Sequence, residues 1–101
     1  MEVFIGNSTN PKKKHTAIFY RDGKKVKTTH FGAKGMSDYT IHKDPERKKR
    51  WEARHRAREN WNAPMTAGAL SKHILWNKTS KSASISDYLK RFKLKRVKSP
   101  K

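Results

Sequence analysis

The first third of the chain has the apolar and polar spacing of strands. Val3-Phe4-Ile5 is a short apolar run, and Gly6-Asn7-Ser8-Thr9-Asn10-Pro11 has loop composition. His15-Thr16-Ala17-Ile18-Phe19-Tyr20 is rich in β formers. Asp22-Gly23 then suits a two-residue type I′ hairpin turn, which needs positive φ at both central residues. The return strand is Lys25–Phe31. In the simplest register Phe19 faces Val26, Ala17 faces Thr28, Ile18 faces Lys27 and Tyr20 faces Lys25. Ala17, Phe19, Val26 and Thr28 then form the inner face, and the outer face is cationic with one aromatic. Gly32-Ala33-Lys34-Gly35 breaks the pattern. It matches no phosphate-loop motif and reads as a turn.

The remainder reads as helices. Asp44 followed by Pro45 is a helix start, an N-cap before a proline at the first helical position. That helix is expected over Pro45 to about Asn60, ended by Asn62-Ala63-Pro64. Its only non-polar positions are Trp51, Ala53, Ala57 and, just beyond it, Trp61. Thr66 caps a second helix, Ala67–Trp76, with Leu70 and Ile74 one turn apart. A third is expected from Ser84-Ile85-Ser86-Asp87, a capping-box variant, with Ile85, Tyr88, Leu89 and Phe92 on one face. The expected architecture is α+β: a small antiparallel sheet of two or three strands, with its hairpin at Asp22-Gly23, followed by three short helices. One domain spans residues 1–92, and residues 93–101 form a basic tail.

Charge changes this picture more than composition does. The 101 residues hold 26 Lys+Arg against 8 Asp+Glu, a formal net charge of +18, with only 33% of residues apolar. A thin core must hold against self-repulsion, which an anionic partner relieves. The excess is uneven, net +5 over residues 1–42 and +13 over residues 43–101. There is no cysteine, which excludes disulfides and zinc-finger or iron–sulfur sites. No apolar run approaches the ~20 residues of a spanning helix, so membrane insertion is not expected. The N-terminus has no signal-peptide pattern, so the protein is not expected to be secreted.

Two basic segments are candidate polyanion sites. In the first helix Arg47, Arg50, Arg54 and Arg58 recur at spacings of three, four and four, on one face, with Lys48 beside them. Guanidinium forks grip phosphate or carboxylate oxygens bidentately. The competing reading is a solvated face neutralised by pairs four residues apart, Glu46–Arg50, Glu52–Arg56 and Asp44–Lys48. Trp51, within this charge, is open to two roles, stacking on a base or packing in the core. The second segment holds Lys90, Arg91, Lys95 and Arg96, alternating with apolar residues, as in an arm that orders on an anionic surface or a localisation signal. The five histidines have no metal-site spacing. Asp22, Asp38, Asp87 and the glutamates form no paired-carboxylate or triad pattern, and there is no thiol nucleophile. Neither an enzyme, a cofactor, a metal nor a small-molecule substrate is expected.

The stretch Lys27–Arg50, with Arg54-His55-Arg56-Ala57-Arg58-Glu59-Asn60-Trp61 and Leu75-Trp76-Asn77-Lys78, resembles a family of small basic proteins of giant DNA viruses, the nucleocytoplasmic large DNA viruses. The resemblance runs over roughly residues 17–92. Where this chain has Trp51 that family often has Tyr, and near His73 it has an aromatic. The resemblance implies a virion or viral-factory setting and no site roles. Two functions are expected. One is a virion-associated protein binding nucleic acid, DNA first, through the Arg-rich helix and the tail. The other is a minor capsid or cement protein whose cationic surface docks on acidic capsid subunits.

Overall fold

The computed structural model describes Met1–Lys101. In chain order the elements are β1 (Glu2–Asn7), β2 (Lys13–Arg21), β3 (Lys24–Ala33), α1 (Tyr39–His42), α2 (Pro45–His55), α3 (Ala67–Leu70), α4 (Lys81–Phe92) and β4 (Lys95–Val97). A π-helical turn, Ser71–Leu75, continues α3. The four strands form one sheet in the order β3-β2-β1-β4. β1 and β3 both run antiparallel to β2, whereas β4 runs parallel to β1. The expectation of two or three antiparallel strands followed by three helices is therefore corrected: the sheet is mixed and four-stranded, and there are four helices.

Two devices that carry no periodicity account for the difference. Asp38 caps a single turn, accepting from the Thr40 N–H, and Lys43 in the left-handed region ends it. Four residues are too few to show a helical repeat. At the other end of the chain, Lys93 adopts φ 54° and terminates α4. The Leu94 N–H then donates to the Leu89 carbonyl and the Lys95 N–H to the Met1 carbonyl. The chain is thereby turned onto the free edge of β1, and residues expected to form a tail supply β4. No local turn signal announces a pairing between residues more than ninety positions apart.

The hairpin turns at Asp22-Gly23, with φ 52° and 78°, and Tyr20 lies opposite Lys25. Beyond that pair the register shifts by one, so that Phe19 lies opposite Lys27 and Ala17 opposite Thr29. Val26 is the extra residue and is 47% exposed. The expected inner face of Ala17, Phe19, Val26 and Thr28 becomes Ala17, Phe19, Thr29 and Phe31. A one-residue bulge exchanges the two faces of a strand. Here it buries the phenylalanine, which has more apolar area to remove from water than Val26.

Helix limits follow from side-chain competition. Asp44 caps α2 by accepting from the Glu46 N–H, and Pro45 occupies its first turn. The helix ends at His55 rather than near Asn60, because Arg58 bonds back only three residues, to the His55 carbonyl. Thr66 caps α3 through the Ala69 N–H. Ser80, not Ser84, caps α4, which starts at Lys81. Ser84 is buried within the helix and accepts from the Lys78 N–H.

The helices cover one face of the sheet. Val3, Ile5, Phe19 and Phe31 meet Leu70, Ile74, Leu75, Ile85 and Tyr88 in one core. Tyr88 is fully buried, its hydroxyl donating to the Pro64 carbonyl at 2.6 Å, and burial pushes its pKa up. No helix is long and apolar enough to cross a membrane.

Candidate anion-binding cleft

One cleft of about 570 Å³ opens between α2 and the end of the β2–β3 ladder. Arg47, Arg50 and Arg54 of α2 form one wall. Lys13 and Lys14 of β2, with Gly32 and Ala33 of β3, form the facing wall. Ala67, Gly68 and Ser71 at the start of α3 close a third side. The floor is apolar: Phe31, Trp51, Leu75 and Trp76. Gly32 allows this geometry. Its φ is 78°, and a Cβ there would lie 2.8 Å from Leu75 Cδ1.

The charges of the walls are not balanced from within. Two carboxylates line the cleft, and both are committed. Asp38 is buried and accepts from Lys14 Nζ at 2.8 Å, from the Thr40 N–H at 2.9 Å and from the Thr40 hydroxyl. Burial works to raise its pKa, but these donors outweigh burial and hold it below the ordinary carboxylate value. Glu59 accepts from Trp61 Nε1 at 2.9 Å and lies 3.1 Å from His55 Nδ1. Arg47, Arg50 and Arg54 are exposed and take no carboxylate partner. The pairs four residues apart that would neutralise α2 do not form. Glu52 turns to Lys72 of the π-helical turn, Asp44 is spent as the cap, and Glu46 has no cationic partner.

The structure divides the other residues singled out in the sequence. Arg58 is exposed in the turn after α2 and does not line the cleft. Lys48 points to the opposite side of α2. Its ammonium donates to the Asn77 carbonyl at 2.8 Å and sits 5.0 Å from the Tyr39 ring centroid. Burial, and then the charge of Lys72, lower its pKa, and its ammonium is engaged by these two contacts rather than turned to the cleft. Trp51 is 7% exposed. Its indole lies nearly parallel to Trp76 at 5.0 Å and to Trp61 at 6.0 Å, with the His55 ring 4.4 Å away. Its flat faces are committed to neighbouring rings, and open stacking on a base is corrected to a core role with one edge in the cleft floor. His73, also buried, bonds the Trp61 carbonyl at 2.8 Å and meets Phe92 edge-on, so it takes a packing place itself.

Lys90, Arg91, Lys95 and Arg96 lie away from the cleft. Arg91 is 3.8 Å from Asp87, and Arg96 donates to the Ile5 carbonyl at 3.4 Å. Lys90 and Lys95 remain exposed. The residues missed in the sequence are Lys13 and Lys14, which belong to the three-lysine run that leads into β2 and come opposite α2 only through the sheet. No group of His, Cys, Asp or Glu side chains is arranged to hold a metal ion.

Fold and site together define a small basic protein: a mixed sheet, helices on one face, and an unneutralised arginine ridge over an apolar floor. The chain belongs to a family described as a family of unknown function (DUF5754), which it matches over residues 3–55, more than half its length. The match takes in β1 to α2, and so the arginine and lysine walls, but not α3 or α4. No curated protein and no solved structure matches the chain. The family match brings with it no activity, partner or viral origin.

Proposed function

We propose that this protein is a non-enzymatic nucleic-acid-binding protein that holds the phosphate backbone along the Arg47, Arg50 and Arg54 ridge, with Lys13 facing it. One observation carries the reading: the ridge keeps three exposed guanidiniums without a carboxylate, although Glu46 stands four residues before Arg50 on the same helix. Exposed ion pairs are individually weak, so leaving them unmade costs little stability, and it keeps the forks available for phosphate oxygens. The resemblance to giant-virus proteins supports a virion or viral-factory setting, with DNA as the first partner to test.

The test is binding of an oligonucleotide across a salt series. Affinity should fall steeply with salt and depend little on sequence, because phosphate contacts carry no direct sequence information. Changing Arg47, Arg50 and Arg54 together to Gln should lower the log–log salt slope by roughly 2–3 units, at about 0.7–0.9 per contact. An unchanged slope with the fold intact would remove the ridge from the binding surface. No affinity at low salt, with retention of an acidic capsid subunit instead, would leave the cement-protein function as the better one.

A further inference from the structure

A convex basic surface is enough to neutralise a duplex backbone, but this ridge borders a hollow with an apolar floor. We propose that the cleft takes a single-stranded segment of nucleic acid, with phosphates on the arginine wall and one unstacked base lying on the floor between α2 and α3. This inference rests on the proposed function and narrows its ligand class.

Three features converge on it. The first is size: about 570 Å³ is within the few-hundred to thousand Å³ range of small-ligand sites, and no backbone-only contact requires such a space. The second is the arrangement of chemistry. Arg47, Arg50 and Arg54 stand on one wall, whereas the floor presents edges of Trp51 and Trp76 and the side of Leu75. A nucleotide has that same division, an anionic group at one end and a flat, weakly polar ring at the other. The third is the small size of Gly32 and Ala33 on the facing wall and of Ala67 and Gly68 on the third side, which leaves the Glu59 side chain, lying against Gly68, as the bulk on that side. A duplex keeps its bases stacked inside and presents nothing to such a floor. A single strand can turn a base out at little cost.

The test compares three probes of matched charge: a single-stranded oligonucleotide, the same strand with abasic sites, and a duplex. Tryptophan fluorescence is read alongside affinity, because Trp51 and Trp76 edge the floor. The expected result is single-strand binding about threefold tighter than the abasic strand, below the roughly fivefold or more of a base stacked on an open ring face because only ring edges are offered, with quenching only by the base-containing strand. Ala33→Leu/Ala67→Leu narrows the mouth from two exposed positions without changing charge. It should remove the preference for the base-containing strand over the abasic one, and the quenching. Each single variant serves if the pair melts early. Equal binding of all three probes without quenching overturns the base-binding inference while leaving the arginine ridge as a backbone site. Failure of all three probes to bind at low salt overturns the proposed function as well.

Discussion

Helix α2 and the segment from Lys90 to Arg96 are both dense in cations, yet the fold uses them differently. In α2 the carboxylates leave: Glu52 reaches Lys72, Asp44 caps the helix, and Arg47, Arg50 and Arg54 stay unpaired around a hollow. In the C-terminal segment the cations are exposed too, but the two arginines have partners. Arg91 faces Asp87, Arg96 spans to the Ile5 carbonyl, and Lys95–Val97 hydrogen-bond as a strand. Charge density alone therefore does not mark a site. What marks it is where the few acidic groups are spent, and whether the remaining cations share a concave surface.

The largest expected effect tests whether α2 is a core element on its inner side. Trp51→Ala should cost about 3–5 kcal/mol, a large share of the stability of a small domain, and is measured by denaturant unfolding. A cost near zero would mean that the indole stack contributes little and that α2 is held by charge.

The next effect separates the two basic regions directly. Lys90, Arg91, Lys95 and Arg96 changed together to Gln should alter the salt slope of oligonucleotide binding by less than about 1 unit, against roughly 2–3 for the α2 triple variant. A larger change for the C-terminal set would invert the comparison. The triple variant itself should unfold within about 0.5 kcal/mol of the parent, since its three side chains are exposed and unpaired.

A smaller effect distinguishes the wall of the cleft from the hairpin tip. Gly23 and Gly32 both have φ 78°, but a Cβ at Gly23 meets open space and one at Gly32 meets Leu75. Gly23→Ala should cost about 1 kcal/mol from backbone conformation alone. Gly32→Ala should cost more, and chemical denaturation of the two variants side by side gives the difference.

The smallest effect is a pH dependence. Burial is the main cause that lowers the pKa of both His15 and His73, with Lys81 adding to it at the first and, against a bond to the Trp61 carbonyl, Arg91 at the second. Above the ordinary value of 6.5 both are neutral folded and unfolded, and stability is flat. As pH falls below 6.5 the unfolded chain takes up protons that the folded state resists, so stability declines, by at most about 1.4 kcal/mol per pH unit for each group. His73→Gln should reduce that slope; an unchanged slope would assign it elsewhere. Asp38, held below 3.8, adds a further loss only at lower pH.

Much of the local structure was legible in the residues. Asp22-Gly23 makes the turn, Asp44-Pro45 and Thr66 start helices, and Ile85 and Tyr88 face inward from α4. Each is decided by forces acting within a few positions: positive φ, an orphan N–H seeking an acceptor, or a 3.6-residue period. The arginine face of α2 was legible for the same reason.

What the tertiary structure decided is everything that depends on partners far apart in the chain. The bulge at Val26 exists because Phe31 has a core to enter. β4 exists because β1 leaves a free edge where α4 ends. Trp51 is a core residue because Trp61 and Trp76 meet it, although its own helix is almost wholly polar. Above all, Glu52 could pair with Arg56 or with Lys72. Two ion pairs of similar intrinsic strength are separated by which one packing holds in place, here the pair that ties α2 to the π-helical turn.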